Sequence, residues 1–305
     1  MSCIEYNEPE YGPAMWHNLM LSDKVRTGAY AKAIMDNIKE GDVVVDVGAG
    51  TGIFSLLAAK LGARVYAIEP TEIIEVAKQN AKRNGVEDKI TFIKCLAEEA
   101  EIPEEVDCIV SEWMGVMVLQ ENMLPAVTSI RDRYLKPHGK ILPEKISIYL
   151  GLVSSERIHN ETIGRWEKPF FGLDYSYFRD YNTKDTHLIT AEPSEMGSSP
   201  VKIMEINVRT INPKKLYEMT SKLIANDNMV CQGILGWFKA DFPGGITLDT
   251  SPYVPSTHWQ QLYFPFENTA KLTKNDLINF SLKIEEDDNV PKLMHFSWKY
   301  ETNGE

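Results

Sequence analysis

The chain is poor in cysteine. Cys3, Cys95, Cys108 and Cys231 lie far apart in 305 residues, with no C-x-x-C pair. None of the six histidines stands at metal-ligand spacing from them or from another histidine. This pattern predicts no metal and a reduced, cytoplasmic protein, or a nuclear one if the organism is eukaryotic. Long apolar runs are also missing. None approaches the roughly eighteen residues that a membrane span needs, so no membrane is expected as a partner. The first residues, Met1-Ser2-Cys3-Ile4-Glu5, are polar and acidic and do not read as a secretory signal. Basic residues are outnumbered, with Lys+Arg 32 against Asp+Glu 44 and a formal net charge of −12. Phosphate binding wants clustered positive charge, so nucleic acid is disfavoured. A negative field instead attracts a cationic ligand and raises its encounter rate, although solubility alone also accounts for such acidity.

The chain has an ordinary apolar share, 43% hydrophobic against 25% charged, and enough length for one large domain or two modest ones. After an irregular start, Met20, Leu21, Val25, Tyr30, Ile34 and Ile38 recur at helical spacing. From 43 to about 143, short apolar runs alternate with helix-like segments, which predicts a parallel α/β sheet. Strands are expected at 43–47, 65–68, 90–93, 107–110 and 140–142. Helices are expected at 53–61 and 71–84, the second stopped by Gly85. Beyond Pro143 the apolar residues alternate with polar ones, as in Ile278, Phe280, Leu282, Ile284 and again in Met294, Phe296, Trp298, Tyr300. Further strands at 201–209, 232–240 and 259–266 predict an antiparallel barrel or sandwich. The expected domains are therefore 1–143 and 144–305. Within the second, residues 166–181 hold seven aromatics, Trp166, Phe170, Phe171, Tyr175, Tyr177, Phe178 and Tyr181. Such enrichment on an excursion suits either a protein–protein anchor or a satellite cluster under a long loop.

The sharpest local signal is Val43-Val44-Val45-Asp46-Val47-Gly48-Ala49-Gly50-Thr51-Gly52, a buried strand running into glycines and then an apolar helix. Glycines there let a ligand approach the backbone. The spacing is G-x-G-x-G, with Ile53 where the dinucleotide fingerprint needs its third glycine. Asp46 would repel a pyrophosphate and attract the α-ammonium of S-adenosylmethionine (SAM). Glu69, ending the second strand, can accept both ribose hydroxyls, as acids do in nicotinamide-binding folds, so it does not by itself choose the cofactor.

The fourth strand leads into Ser111-Glu112-Trp113-Met114-Gly115, with Glu121 six residues further. Two acids beyond a strand's carboxyl end suit a guanidinium. That group stays protonated, with a pKa above about 13, and its nitrogens are poor nucleophiles. Two carboxylates can grip the planar fork and draw its positive charge toward the nitrogens they touch. The remaining nitrogen then keeps lone-pair density for attack on a methyl group, and rate comes from orientation and electrostatics.

These residues closely resemble the double-glutamate loop of the protein arginine methyltransferases. Thr257-His258-Trp259 resembles that family's Thr-His-Trp loop. Asp23-x-Val25-Arg26-Thr27, the glycine turn and Ala97-Glu98-Glu99 fall in the family's order, and the similarity spans nearly the whole chain. The resemblance implies a SAM-binding Rossmann-like domain followed by a β-barrel, with a helical dimerisation arm at about 160–190 that docks on a partner's cofactor domain to make a homodimer. It implies that Arg26 binds the SAM carboxylate and Glu69 the ribose, and that Ala97 and Glu98 line the adenine site. Glu112 and Glu121 clamp the substrate guanidinium, in a protein or peptide. His258 pairs with Asp23, holding the N-terminal helix and relaying a proton. Met20 and Met123 shape the acceptor pocket, and His17 falls near the cofactor. Thr257-His258-Trp259 and Met20 resemble the branch that gives mono- and then asymmetric dimethylarginine. Two departures stand out. Of the N-terminal tyrosine pair only Tyr11 is in place, with Asn7 at the other position and Tyr6 one residue out of register. Val116-Met117-Val118-Leu119-Gln120 also replaces a segment in which relatives have an aromatic after the glycine. The other readings are a SAM enzyme acting on another small guanidino or amino acceptor, and a weakly active scaffold subunit, which would not need both Glu112 and Glu121.

Overall fold

The computed structural model describes residues 14–286 and 293–302. Tyr6, Asn7 and Tyr11 lie outside them. The first half contains α1 (Ala14–Ser22), α2 (Lys24–Asn37), β1 (Val43–Val47), α3 (Ile53–Lys60), β2 (Arg64–Ile68), α4 (Ile74–Asn84), β3 (Ile90–Ile93), β4 (Val106–Ser111), α5 (Leu124–Tyr134) and β5 (Leu135–Leu142). The five strands form one parallel sheet in the order β3-β2-β1-β4-β5. Strand β1 is buried along its whole length, as a central parallel strand covered on both faces must be. The strand order reverses direction between β1 and β4, and their carboxyl ends open the crevice where such sheets bind ligands.

The helical pattern expected through Met20, Leu21, Val25, Tyr30, Ile34 and Ile38 is divided between two helices. Asp23 has an extended backbone and its carboxylate accepts Arg26 N–H, so it ends one helix and caps the next. The helix expected from residue 71 starts at Ile74, because Thr71 turns its N–H and hydroxyl to Glu69. Gly85 closes α4 in the left-handed conformation, as expected. Gly52, also left-handed, precedes α3. A Cβ on it would stand 2.9 Å from that of Ala77, so only glycine lets α3 and α4 pack this closely.

The second half contains β6 (Lys145–Val153), α6 (Glu156–Thr162), α7 (Ser176–Asn182), β7 (His187–Ile189), β8 (Val201–Asn207), β9 (Leu216–Ile224), β10 (Met229–Phe242), β11 (Ile246–Asp249), β12 (Gln261–Leu272), β13 (Leu277–Glu286) and β14 (Met294–Thr302). One sheet runs β7-β12-β10-β6-β8, with β11 on β10, and the other β14-β13-β9. Phe264 of the first packs its ring on Phe280 and Trp298 of the second, at centroid distances of 5.7 and 5.3 Å. Strands β6, β7, β9 and β11 were not foreseen, and the strand expected from Trp259 begins at Gln261. Arg131 of α5 ties the halves together by donating to the carbonyls of Val208 and Ile211.

Between β6 and β7 the chain makes the arm. Trp166 is its hub, 4.8 Å from Phe178, 5.6 Å from Phe170 and 5.7 Å from Tyr175. The aromatics thus hold the arm together, but not all are used up that way. Phe171 is 90% exposed and Tyr177 85%.

Candidate active site

The glycine turn, Asp46, Glu69 and Glu112 all lie at the carboxyl end of the parallel sheet. Gly48, Gly50 and Gly52 have φ of 76°, 53° and 85°. Side chains gather over this turn: a Cβ on Gly48 would stand 3.2 Å from Met123 Cε, and one on Gly50 3.3 Å from His17 Cε1. His17 is buried, which places α1 over the turn.

Asp46 is fully enclosed. Its Oδ2 accepts the hydroxyl of Ser55 at 2.6 Å and that residue's N–H at 3.0 Å. Its Oδ1 has no hydrogen-bond partner among the described residues. Burial dominates the Ser55 hydrogen bonds and, with the nearby negative charge of Glu69, pushes this carboxyl up to about 6. A buried carboxylate with one bare oxygen calls for a cationic partner. Glu69 is anchored at both oxygens, Oε2 by Gly50 N–H and Oε1 by Thr71, which presents its carboxylate in a set orientation. The donor set fits SAM: one acid for an ammonium, one for a diol, and a guanidinium for a carboxylate.

Arg26 is the centre of a second network. Its Nε and Nη2 donate to Glu112 Oε2 at 3.1 and 3.0 Å, and its Nη1 to Met20 O at 3.2 Å. Both members of this ion pair are about nine-tenths buried. Among the described residues this engages three of the five guanidinium N–H groups and leaves one on each Nη for a further anion. Glu112 Oε1 accepts Met114 N–H at 3.1 Å. Of the roughly four acceptor sites on a carboxylate, this leaves Glu112 one on Oε1. Among the described residues, most of the hydrogen-bonding capacity of Glu112 is thus held by the protein itself. Glu121 folds back over the loop: a Cβ on Gly115 would stand 2.7 Å from its Cγ.

The barrel contributes the next layer. His258 Nδ1 lies 2.8 Å from Asp23 Oδ2, and the same oxygen accepts His258 N–H at 2.9 Å. Burial would raise the pKa of Asp23, but the His258 side chain and the two backbone N–H groups outweigh it and hold the carboxyl below its usual value. Trp259 Nε1 donates to Met114 O at 2.6 Å, tying the barrel to the glutamate loop. Tyr30 donates to Ser111 O and stacks on Phe54 at 4.5 Å, fixing the end of β4 from below.

Asp23, Arg26, Glu112 and His258 thus form one connected network, with Met20 at its edge. Asp46, Glu69 and the glycines form another, and His17 and Met123 cover the turn. Ala97 and Glu98 stand apart, in the turn after β3. Ala97 is buried and Glu98 exposed, and Arg133 clasps the carbonyls of Ala97 and Ala100. Ser55, Thr71, Tyr30 and Arg133 were not singled out from the sequence. Ser55 alone left a legible mark, a hydroxyl in the otherwise apolar run Ile53-Phe54-Ser55-Leu56-Leu57.

Comparison with known proteins gives the same outline. Residues 144–305 match the profile described as the arginine methyltransferase oligomerization subdomain, and 44–139 that of a methyltransferase domain. The chain is 34% identical to protein arginine N-methyltransferase 1 of Saccharomyces cerevisiae, over 94% of its length and 86% of that protein. It is 32% identical to protein arginine N-methyltransferase 6 of Xenopus tropicalis, over 96% and 90%. Among solved structures, the Trypanosoma brucei protein arginine methyltransferase 1 enzyme–prozyme heterotetrameric complex with AdoHcy matches with a TM-score of 0.89 at 30% identity, over 97% of this chain and 96% of that one. Arabidopsis thaliana protein arginine methyltransferase 10 matches with a TM-score of 0.84 at 27% identity, over 96% and 94%.

Proposed function

The chain belongs to the protein arginine N-methyltransferase family and is a SAM-dependent enzyme that methylates arginine; within that activity we propose that Glu112 and Glu121 together hold the substrate guanidinium, Glu112 through the acceptor site left on its Oε1. The observation that carries this is the Arg26–Glu112 ion pair, which takes both acceptor sites of Glu112 Oε2 and fixes that carboxylate at the end of β4. SAM supplies a methyl group on a sulfonium sulfur, a leaving group that needs no acid.

In this reading Asp46 Oδ1 receives the α-ammonium and the two spare N–H groups of Arg26 receive the α-carboxylate. Glu69 takes the ribose hydroxyls, and Ala97 and Glu98 the adenine. The glycines at 48, 50 and 52 bring the backbone close to the cofactor, with His17 and Met123 closing over it. Glu121 and the open acceptor site of Glu112 hold the guanidinium so that its charge collects on the nitrogens they touch. The free nitrogen would then keep the lone pair with which to take the methyl group that SAM supplies. That nitrogen must lose a proton afterwards. His258, with Nδ1 engaged by Asp23, keeps Nε2 as its proton-accepting site and serves as the relay. Met20 bounds the acceptor pocket with a flexible side chain that yields room for a second methyl, which supports asymmetric dimethylarginine as the final product. The exposed aromatics of the arm support a homodimer. Cys95, Cys108 and Cys231 are free thiols, which supports the cytoplasm.

The test is a pair of substitutions assayed with labelled SAM and an arginine-rich peptide. Glu121→Gln removes charge felt mainly in the transition state, so kcat falls at least about a hundredfold while the Kd of SAM barely changes. Glu112→Gln also strips Arg26 of its buried partner, so stability and SAM affinity fall together with rate. Near-normal turnover by Glu121→Gln would remove it from the acceptor site.

A further inference from the structure

The segment between the two glutamates, Val116-Met117-Val118-Leu119-Gln120, begins in a tight turn. Gly115 and Val118 exchange backbone hydrogen bonds, Val118 N–H to Gly115 O at 2.8 Å and Gly115 N–H to Val118 O at 3.2 Å. Met117 and Val118 have φ of 51° and 73°, a left-handed conformation that costs a β-branched residue in particular. Such backbone persists only where its surroundings over-determine it, and they do so here. Met117, Val118 and Leu119 are buried. Trp259 holds the carbonyl of Met114 before the turn, and Met294 N–H holds that of Gln120 after it, at 2.8 Å.

The deepest fixture is Met117. A Cβ on Gly236, in the central barrel strand β10, would stand 2.4 Å from Met117 Sδ and 2.8 Å from its Cε. Real Cβ contacts do not come this close, so the thioether occupies a notch that only a glycine leaves and would have to shift if position 236 gained a side chain; the same added Cβ would stand 3.2 Å from Phe264 Cε2. At the other end of the same turn, Gly115 lies against the Cγ and Cδ of Glu121. A continuous line of contact runs from the barrel strand through Met117 and the 115–118 turn to the second glutamate.

We propose that Met117, seated on Gly236, is a positioning residue for Glu121, so that the barrel sets where this carboxylate meets the acceptor arginine. The proposal rests on the reading that Glu121 grips the guanidinium. Hydrophobic burial alone would be served by any apolar residue at 117. Positioning requires that side chain and notch match in volume, because a displacement of about 1 Å in a reacting group costs up to roughly a hundredfold in rate.

The experiment is a compensation cycle in the full-length protein, read as kcat on an arginine-rich peptide and as the Kd of SAM by calorimetry. Gly236→Ala fills the notch and Met117→Ala empties it. Each is expected to lower kcat, by roughly ten- to a hundredfold for Gly236→Ala, with the Kd of SAM unchanged. The double variant, in which a small side chain faces a filled notch, is expected to turn over faster than either single variant. Losses that multiply in the double variant, a normal kcat in either single variant, or a parallel loss of SAM affinity would overturn the proposal. Should Gly236→Ala fail to fold, Met117→Ala decides: reduced kcat at unchanged Kd supports the proposal, and normal kcat ends it. Glu121→Gln is assayed alongside. If that variant keeps its rate, the reading of Glu121 itself fails. If it is impaired while Gly236→Ala is normal, only the positioning role fails.

Discussion

Lowering the pH should weaken SAM binding through Asp46, and the size of the effect follows from its burial. The free carboxyl titrates at about 6, because desolvation outweighs the two hydrogen bonds from Ser55. Binding the α-ammonium requires the charged form. At pH 7.5 that form predominates, whereas at pH 5 only about a tenth of the sites carry it, so the Kd should rise about tenfold, or about 1.4 kcal/mol. The stability of the unliganded protein should respond with the opposite sign. A carboxyl raised from 3.8 to about 6 binds more protons folded than unfolded between those values, so its contribution falls as pH rises through that window. Above pH 6 the ionised group costs up to about 3 kcal/mol, which an ammonium partner relieves. Asp46→Asn should therefore melt higher than wild type at pH 8 without SAM, bind SAM poorly, and lose the pH dependence of what binding remains. Calorimetry from pH 5 to 8 in two buffers of different ionisation enthalpy measures both affinity and proton release. A flat SAM affinity across that range in the wild type, or the same slope in Asp46→Asn, would refute the reasoning.

Replacing Phe171 and Tyr177 together by alanine should leave the fold intact, since both rings are exposed, and raise the dimer Kd by about a hundredfold or more; sedimentation velocity showing an unchanged dimer would contradict the arm's role. Met20→Phe should impair the second methyl transfer more than the first, so acid hydrolysates should shift from asymmetric dimethylarginine to monomethylarginine. Symmetric dimethylarginine from the wild type would show the assignment of product wrong.

The cofactor half was largely legible in its strands, although α5 was not foreseen and β5 was expected only at 140–142. Its strands are short apolar runs bounded by glycines and acids, and β1 and β3 fall where the sequence places them. Patterns set by neighbours far along the chain were harder to read. Strand β10 is buried at eight consecutive positions from Cys231 to Phe238 and lacks the alternation of a one-sided strand, and it was foreseen only over 232–240 of its 229–242. Strand β9 alternates cleanly, with Tyr217, Met219 and Leu223 buried, yet was not recognised.

The sequence by itself pointed to the fold class, the cofactor and an arginine acceptor, through residue types at short spacing and the family resemblance they carry: glycines in a turn, an acid at a strand's end, two glutamates on one loop. What surrounds each glutamate was decided only by the tertiary structure. Arg26 and Glu112 are 86 residues apart and His258 and Asp23 are 235 apart. No local pattern states that one glutamate is already held by an arginine, that one oxygen of Asp46 has no partner among the described residues, or that Met117 fits the notch at Gly236. Those facts depend on which groups are left with hydrogen-bonding capacity and which with space once the halves have packed, and capacity and space are properties of the assembled interior.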